Sequence, residues 1–325
     1  MRLSIVLAVF GAFTRLSLGG LGWFGDAAVW AVVVLGAAGV ATLPLDLWRG
    51  LVRERRFGLS TQTARGWLAD RAKGEAIELV LAAAVWAAAI GLVHAFPRWW
   101  PAAAAAALAL FVLLMSFVAP VVLEPVFNRF RPLEDERLAG ELRALAERAG
   151  VPIRDVLVAD ASRRTTRTNA YVSGFGPTRR VVVWDTLLAD ADEPELKLVV
   201  AHELGHRRER HVLKGTLLGM GGAVAAVLLL RVALGTPQPG DFPSAALLFT
   251  GVELAALPLL SWVSRRWERQ ADRSSLELTN DRDAFARAHV ALARKNLSDL
   301  DPPRLAYLML FTHPTPPERL ALARR

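Results

Sequence analysis

The chain of 325 residues contains no cysteine, only two tyrosines and only six histidines. Without cysteine there can be no disulfide and no thiolate ligand, so any metal site must be built from histidine and carboxylate. Charged residues are sparse at 22%, while hydrophobic residues reach 53%, more than a soluble domain usually carries. That balance places the chain in the membrane class before any motif is considered. The formal net charge of +8 could suggest nucleic acid. The arginines, however, gather at the ends of apolar runs, where they orient membrane spans. The expected partner is therefore a lipid bilayer, with no nucleic acid.

Residues 76–96, 100–121 and 213–234 each supply the roughly 20 apolar residues that cross a bilayer core. Residues 26–47 and 242–263 are two further spans. A sixth, at about 3–20, is interrupted by Arg15; no small-residue cleavage site follows it, so it reads as a retained span. The segment 48–75 carries Arg49, Arg53, Arg55, Arg56, Arg65, Arg71 and Lys73, which places it in the cytoplasm. Alternation then puts the loops at 97–99 and 235–241 outside, and the arginine-rich stretches 124–212 and 264–325 inside. The abundance of Arg and Ala suggests a high-GC bacterium and thus its inner membrane.

Between the spans, "EDERLAGELRALAERAGV" has apolar residues at helical spacing and a late Gly, and predicts an amphipathic helix. "IRDVLVAD" predicts a short strand. "RTNAYVSGFGPTRRVVVWDTLL" predicts a hairpin of two β-rich runs around a Gly-Pro turn. A helix then starts near Pro194, a favoured first helical residue.

That helix contains "VVAHELGHRRER". Residues four apart on a helix project from nearly one face, so His202 and His206 can aim at one metal. Glu203 can reach a water on that metal and act as its general base, the H-E-x-x-H arrangement of zinc peptidases. The competing explanation is a solvated helix face that matches by accident.

A catalytic zinc needs a third protein ligand and one open position. The metzincin pattern fails, because Glu209 and Val212 stand where it needs Gly and His. Three later glutamates remain: Glu253, Glu268 and Glu277. Glu253 lies deep in an apolar span. Glu268 has Asp272 one turn on, able to accept the second N–H of a ligand histidine, and is favoured on that ground. Two crossings separate His206 from Glu268, so both lie on the same side of the membrane.

If residues 168–173 form an edge strand, Asn169, Ala170 and Tyr171 can pair with an extended peptide, and Asn169 can hold the substrate or the developing oxyanion. His313 and Arg319, in "THPTPPERL", could return to the site and stabilise a tetrahedral intermediate. His94 and His289 read as structural and His211 as interfacial. Glu253 and Arg231 are intramembrane charges that mark a cavity or a pairing.

Taken together, the chain resembles the type I CAAX prenyl protease family of integral membrane zinc endopeptidases, and more distantly the HtpX-like membrane proteases. The resemblance rests on "LPLDLWRGLVRERRFGLSTQT", "EPVFNRFRPLED", "TNAYVSGFGPTRRVVVWDTLL", "VVAHELGHRRERH", "SRRWERQAD" and "LFTHPTPPERL", in family order from about residue 42. It implies a mostly α polytopic fold, a ring of about six transmembrane helices around a chamber, with a cytoplasmic gluzincin-like domain containing a small hairpin or sheet. It implies one Zn2+ per chain on His202, His206 and Glu268, Glu203 as base, Asn169 and Ala170 on the substrate strand, and His313 with Arg319 facing the scissile carbonyl. The implied substrate is a peptide or membrane-associated protein, lipidated or not.

The expected division is a membrane region at 1–123, a catalytic domain at 124–212, two spans at 213–263, and the catalytic domain's C-terminal part at 264–325. Departures from the family include a short N-terminal span, no long insertion before the zinc helix, and "TTRTNAY" where eukaryotic members have an "SSHSNAY"-like approach. Alternatives are an HtpX-like quality-control protease and, less favoured, a non-catalytic scaffold or a transporter. Every catalytic position is occupied, which argues against the scaffold. Duplicated interrupted helices, which would suggest a transporter, are not found.

Overall fold

The computed structural model describes residues 2–14, 16 and 18–324. Arg15, which interrupts the first apolar run, lies outside the described residues. In chain order the helices begin with α1 (Arg2–Phe13), α2 (Gly22–Leu47), α3 (Glu54–Arg56), α4 (Ala64–Ala95), α5 (Trp100–Val118), α6 (Glu124–Phe127) and α7 (Glu136–Arg148). They continue with α8 (Asp185–Asp190), α9 (Glu193–Arg208), α10 (His211–Leu234), α11 (Phe242–Thr279), α12 (Arg282–Lys295), α13 (Arg304–Leu310) and α14 (Pro316–Ala323). Four strands are interspersed: β1 (Phe130–Pro132), β2 (Asp155–Ala159), β3 (Ala170–Ser173) and β4 (Arg180–Trp184).

The chain forms two compact units. The first comprises residues up to 57, 62–115 and 216–255; the second comprises 58–61, 116–215 and 256–325.

In the first unit, Ala27, Trp30, Ala31 and Val34 of α2 pack against Trp86, Ala87 and Ile90 of α4, with Leu230, Phe242 and Ala245 closing the cluster. The Trp86 indole donates to the Pro239 carbonyl at 3.0 Å, which satisfies its one polar atom inside an apolar core. Other faces stay bare: Val80 is 68% and Val232 84% exposed. Large exposed aliphatic side chains along helices this long are what a bilayer covers.

Five helices among the described residues are long and apolar enough to cross a membrane. They correspond to the five spans expected at 26–47, 76–96, 100–121, 213–234 and 242–263. The sixth is corrected. Its helix, α1, has 12 residues, about 18 Å at 1.5 Å per residue against the ~30 Å hydrocarbon core. Residues 48–75 are also more helical than a connecting loop. α2 runs on through a π-helical stretch, Trp48–Arg53, into α3, and α4 starts at Ala64, where the Thr63 hydroxyl accepts from the Gly66 N–H.

The second unit holds a four-stranded sheet in the order β1-β2-β4-β3. β2 and β4 are parallel, while β1 and β3 run antiparallel to their neighbours. The expected hairpin is β3–β4, with Ala170 opposite Val183 and Ser173 opposite Arg180. Its turn uses Gly174 at φ 78, where a side chain would strike the Thr178 carbonyl. The amphipathic helix is α7, capped by the Asp135 carboxylate on the Leu138 N–H at 3.0 Å. Its Leu142 and Leu145 join Val156, Val158, Val181 and Val183 of the sheet, and Val200 and Leu204 of α9, in one core. β1 is an addition to the expected elements: a three-residue edge strand ending in proline.

Candidate metal centre

α9 begins at Asp192, whose carboxylate accepts from the Glu195 N–H at 2.9 Å, with Pro194 in its first turn. One of its faces is pressed into the sheet core through Leu196, Val200 and Leu204. His202 and His206 project from roughly the opposite face, and Glu203 lies between that face and the core-facing one. α11 crosses close by, because Gly205 has no side chain to hold it off.

At this crossing the three expected donors meet. His202 Nε2 lies 3.2 Å from His206 Nε2, and each lies 3.3 Å from a Glu268 carboxylate oxygen. These three residues form the one His/Cys/Asp/Glu group among the described residues whose donor atoms all fall within 4.8 Å of one another. Tetrahedral zinc with bonds of about 2.0–2.1 Å requires ligand–ligand edges of about 3.3–3.4 Å. The donor set fits zinc in chemistry, and the 3.2 Å between the two histidine nitrogens is close to such an edge. Glu268 Oε2 is buried without a hydrogen-bond partner, a carboxylate oxygen that a cation would satisfy. Neither Glu253 nor Glu277 joins the cluster.

Asp272, 0% exposed, receives His202 Nδ1 at 2.9 Å. Arg319 donates to both of its oxygens, from Nε to Oδ2 at 2.9 Å and from Nη2 to Oδ1, and Nη2 also lies 3.3 Å from His202 Nδ1. Arg319 is thus directed at the carboxylate behind His202. Its helix, α14, is started by a capping box between Thr315 and Glu318. Further up the same segment, Arg265 of α11 donates to the Tyr307 and Phe311 carbonyls at 2.9 and 2.6 Å, tying down the approach to His313. His313 Nε2 then lies 3.4 Å from Glu268 Oε1.

Glu203 lines the same cavities as Glu268, and burial pushes its carboxyl above the ordinary range, partly offset by His202 and His206. A carboxylate so placed is a ready proton acceptor. Two cavities open beside it, of about 480 and 440 Å3, and Asn169, Glu203, Glu268 and His313 line both. The first also reaches Asn296, Leu310 and Thr312; the second follows β3 through Ala170, Tyr171 and Val172 to Arg207.

β3 is the sheet's edge. The Trp184 N–H donates to the Asn169 carbonyl at 3.0 Å, and in the antiparallel alternation this turns the backbone groups of Ala170 and Val172 away from β4. Asn169 Oδ1 accepts from the Ala170 N–H at 2.9 Å, and Arg207 donates to the Val172 carbonyl. The Tyr171 hydroxyl points instead toward Glu124, 3.5 Å away.

His211 is the first residue of α10, a helix long and apolar enough to cross a membrane. It is 3% exposed, with Nδ1 3.0 Å from His206 Nδ1 and Nε2 2.9 Å from Gln270 Oε1. Its separation of five residues from His206 fits no single helix face, so no periodicity flags it. Arg210, at φ 57, breaks the helix and turns His211 back. His289 is buried as expected, against Phe285 and 3.7 Å from Asp272.

Comparison with known proteins identifies the family and the fold. Residues 132–325 match the family model of peptidase family M48, and residues 3–129 match that described as CAAX prenyl protease N-terminal, five membrane helices. The chain is 30% identical over 300 residues to the uncharacterized metalloprotease YhfN of Bacillus subtilis, covering 88% of this chain and 70% of the relative. It is 30% identical over 298 residues to the CAAX prenyl protease 1 homolog of Arabidopsis thaliana, covering 86% and 69%. With CAAX prenyl protease 1 of Saccharomyces cerevisiae it shares 28% over 311 residues, covering 86% and 67%. Among solved structures, the crystal structure of S. mikatae Ste24p superposes with a TM-score of 0.85 at 24% identity, over 98% of this chain and 80% of that one. The fold is thus the Ste24p fold.

Proposed function

The chain belongs to peptidase family M48 and is an integral membrane metallopeptidase; from that premise we propose that it is a zinc endopeptidase whose metal is held by His202, His206 and Glu268, one ion per chain. The observation that carries this reading is the convergence of His202 Nε2, His206 Nε2 and the Glu268 carboxylate, whose two oxygens each lie 3.3 Å from one of the rings and whose Oε2 has no hydrogen-bond partner.

Bound zinc would supply Lewis acidity, polarising a water and the scissile carbonyl. Glu203 takes the proton from the attacking water and returns it to the leaving nitrogen. His313, at the mouth of both cavities, donates to the carbonyl oxygen as charge develops there. Arg319 acts through Asp272, which holds the His202 ring by its Nδ1–H and leaves Nε2 for the metal. The substrate backbone lies along the outward groups of Ala170 and Val172, with Asn169 and Tyr171 beside it.

We assign catalysis to segments 124–212 and 264–325, set on the cytoplasmic side of a bacterial inner membrane by the arginines of 48–75. The plant and yeast relatives are named CAAX prenyl proteases, and Glu268 is carried by a helix long and apolar enough to cross a membrane. The substrate class proposed is therefore a prenylated or otherwise membrane-held peptide.

The test is cleavage by detergent-purified protein and its Glu203→Gln variant, with zinc quantified in both, on matched prenylated and unprenylated peptides. The expected result is about one zinc per chain in each, with cleavage only by the wild type and a preference for the prenylated peptide. Equal cleavage of unlipidated membrane proteins would move the reading to HtpX-like quality control. Loss of zinc in Glu203→Gln would make Glu203 a structural member of the site.

A further inference from the structure

We propose that His211 is a positioning residue of the metal centre, the middle member of a relay Gln270–His211–His206 that fixes which nitrogen of His206 is free for the metal. The inference rests on the zinc reading above and concerns a residue that reading does not use.

The argument is one of donors and acceptors. His211 is buried, so its two ring nitrogens must find partners in the protein. Nε2 faces the Gln270 amide oxygen at 2.9 Å and Nδ1 faces His206 Nδ1 at 3.0 Å. An amide oxygen only accepts, so the proton of a neutral His211 sits on Nε2. Its Nδ1 is then an acceptor, and the proton between the two rings belongs to His206 Nδ1. A neutral His206 protonated at Nδ1 has a bare Nε2. That is the atom 3.2 Å from His202 Nε2 and 3.3 Å from Glu268 Oε1.

Reversing the relay reverses the outcome. Were a donor to face His211 Nε2, its Nδ1 would carry the proton and His206 would be protonated at Nε2, the position a metal needs. The relay therefore has one productive direction, set by Gln270.

The surroundings hold the relay in place. His211 stacks on Trp267 with ring centroids 5.1 Å apart and planes 11° from parallel. Trp267 and Gln270 flank Glu268 on α11, so the third ligand and both supports of His211 arrive on one rigid element. His206 and His202 are thus served alike. His202 donates its Nδ1–H to Asp272, and His206 donates its Nδ1–H to a neutral ring, which leaves the site one negative charge fewer than a second aspartate would.

The experiment uses the full-length detergent-solubilised chain, stripped of metal and titrated with zinc against a chromophoric chelator, with the unfolding midpoint of each apo protein recorded. His211→Phe keeps the ring on Trp267 but offers no acceptor. It is expected to weaken zinc binding about 10–100-fold. His211→Asn restores an acceptor oxygen near Nδ1 and is expected to regain most of that loss. Gln270→Glu, which can only accept from His211, is expected to stay near wild type. Zinc binding by His211→Phe equal to wild type, or equal losses in Phe and Asn variants, would overturn the relay. Should His211→Phe fail to fold, weak binding by a folded Gln270→Glu would overturn it as well. A wild-type chain that takes up no zinc would instead sink the zinc reading on which the inference stands.

Discussion

Gly205 lies directly against Ala271: a Cβ at position 205 would sit 3.1 Å from the Ala271 carbonyl oxygen and 3.0 Å from Ser274 Cβ. This contact sets how closely α9 and α11 cross, and the crossing brings Glu268 to the two histidines. Gly205→Ala would gain up to ~1 kcal/mol of helix propensity but overpack the crossing by about 1–3 kcal/mol. The expected outcome is a lower unfolding midpoint together with weaker zinc binding. A variant that is more stable and binds zinc normally would show that α11 can yield at this point.

Asp272 is fully buried, with the Arg319 guanidinium on one side and His202 Nδ1 on the other. Asp272→Asn keeps the shape and removes the charge. Leaving Arg319 without its counter-charge is expected to cost about 3–5 kcal/mol of stability. Zinc affinity is expected to fall about 10–100-fold, because a neutral amide holds the His202 Nδ1–H less strongly than a carboxylate and no longer raises the basicity of the ring. Calorimetric unfolding and chelator competition read the two effects separately; wild-type values in both would remove Asp272 from the site.

Burial, with the Arg319 charge adding to it, holds His289 neutral down to about pH 3 against its ordinary 6.5. The folded-state value is depressed, so below pH 6.5 the unfolded chain takes up a proton that the folded chain refuses. The contribution is complete above pH 6.5 and is lost progressively as pH falls toward 3. At pH 5 the loss is about 2 kcal/mol, from 1.36 kcal/mol per pH unit. His289→Gln is expected to flatten the acid side of the stability profile between pH 6.5 and 5, measured by thermal unfolding in detergent. An unchanged slope would assign the acid sensitivity to other groups.

Asn169 lines both cavities immediately before β3. Asn169→Ala is expected to leave zinc content unchanged and to lower kcat/KM by about 10²-fold, the scale of one lost oxyanion donor. Steady-state kinetics beside a zinc assay would separate this from a metal defect. Full activity in the variant would leave Ala170 and Val172 to hold the substrate by backbone alone.

Much of this architecture is written locally. Five runs of about 20 apolar residues had to become membrane helices, because no other use of such surface is stable in water. The hairpin followed from two β-rich runs around a Gly-Pro turn, and α9 from Asp192 and Pro194. What escaped was short or broke a rule of periodicity. β1 has three residues and ends in proline. α1 stops after Phe13, well short of a span. His211 follows a residue at positive φ, so the spacing that relates helix faces no longer applied to it.

By itself the sequence determined that His202 and His206 face the same way, since residues four apart on one helix have no alternative. It favoured Glu268 among three candidate glutamates from the neighbouring Asp272, but it could not bring Glu268 to the histidines, tie Arg319 to Asp272, or bring His211 back onto His206. Those relationships join residues between five and 66 positions apart, across a helix break or between separate helices, and they exist only where side chains pack. A glycine at one crossing and a buried carboxylate behind one ring decide them, and neither carries a periodic signal that a sequence can display.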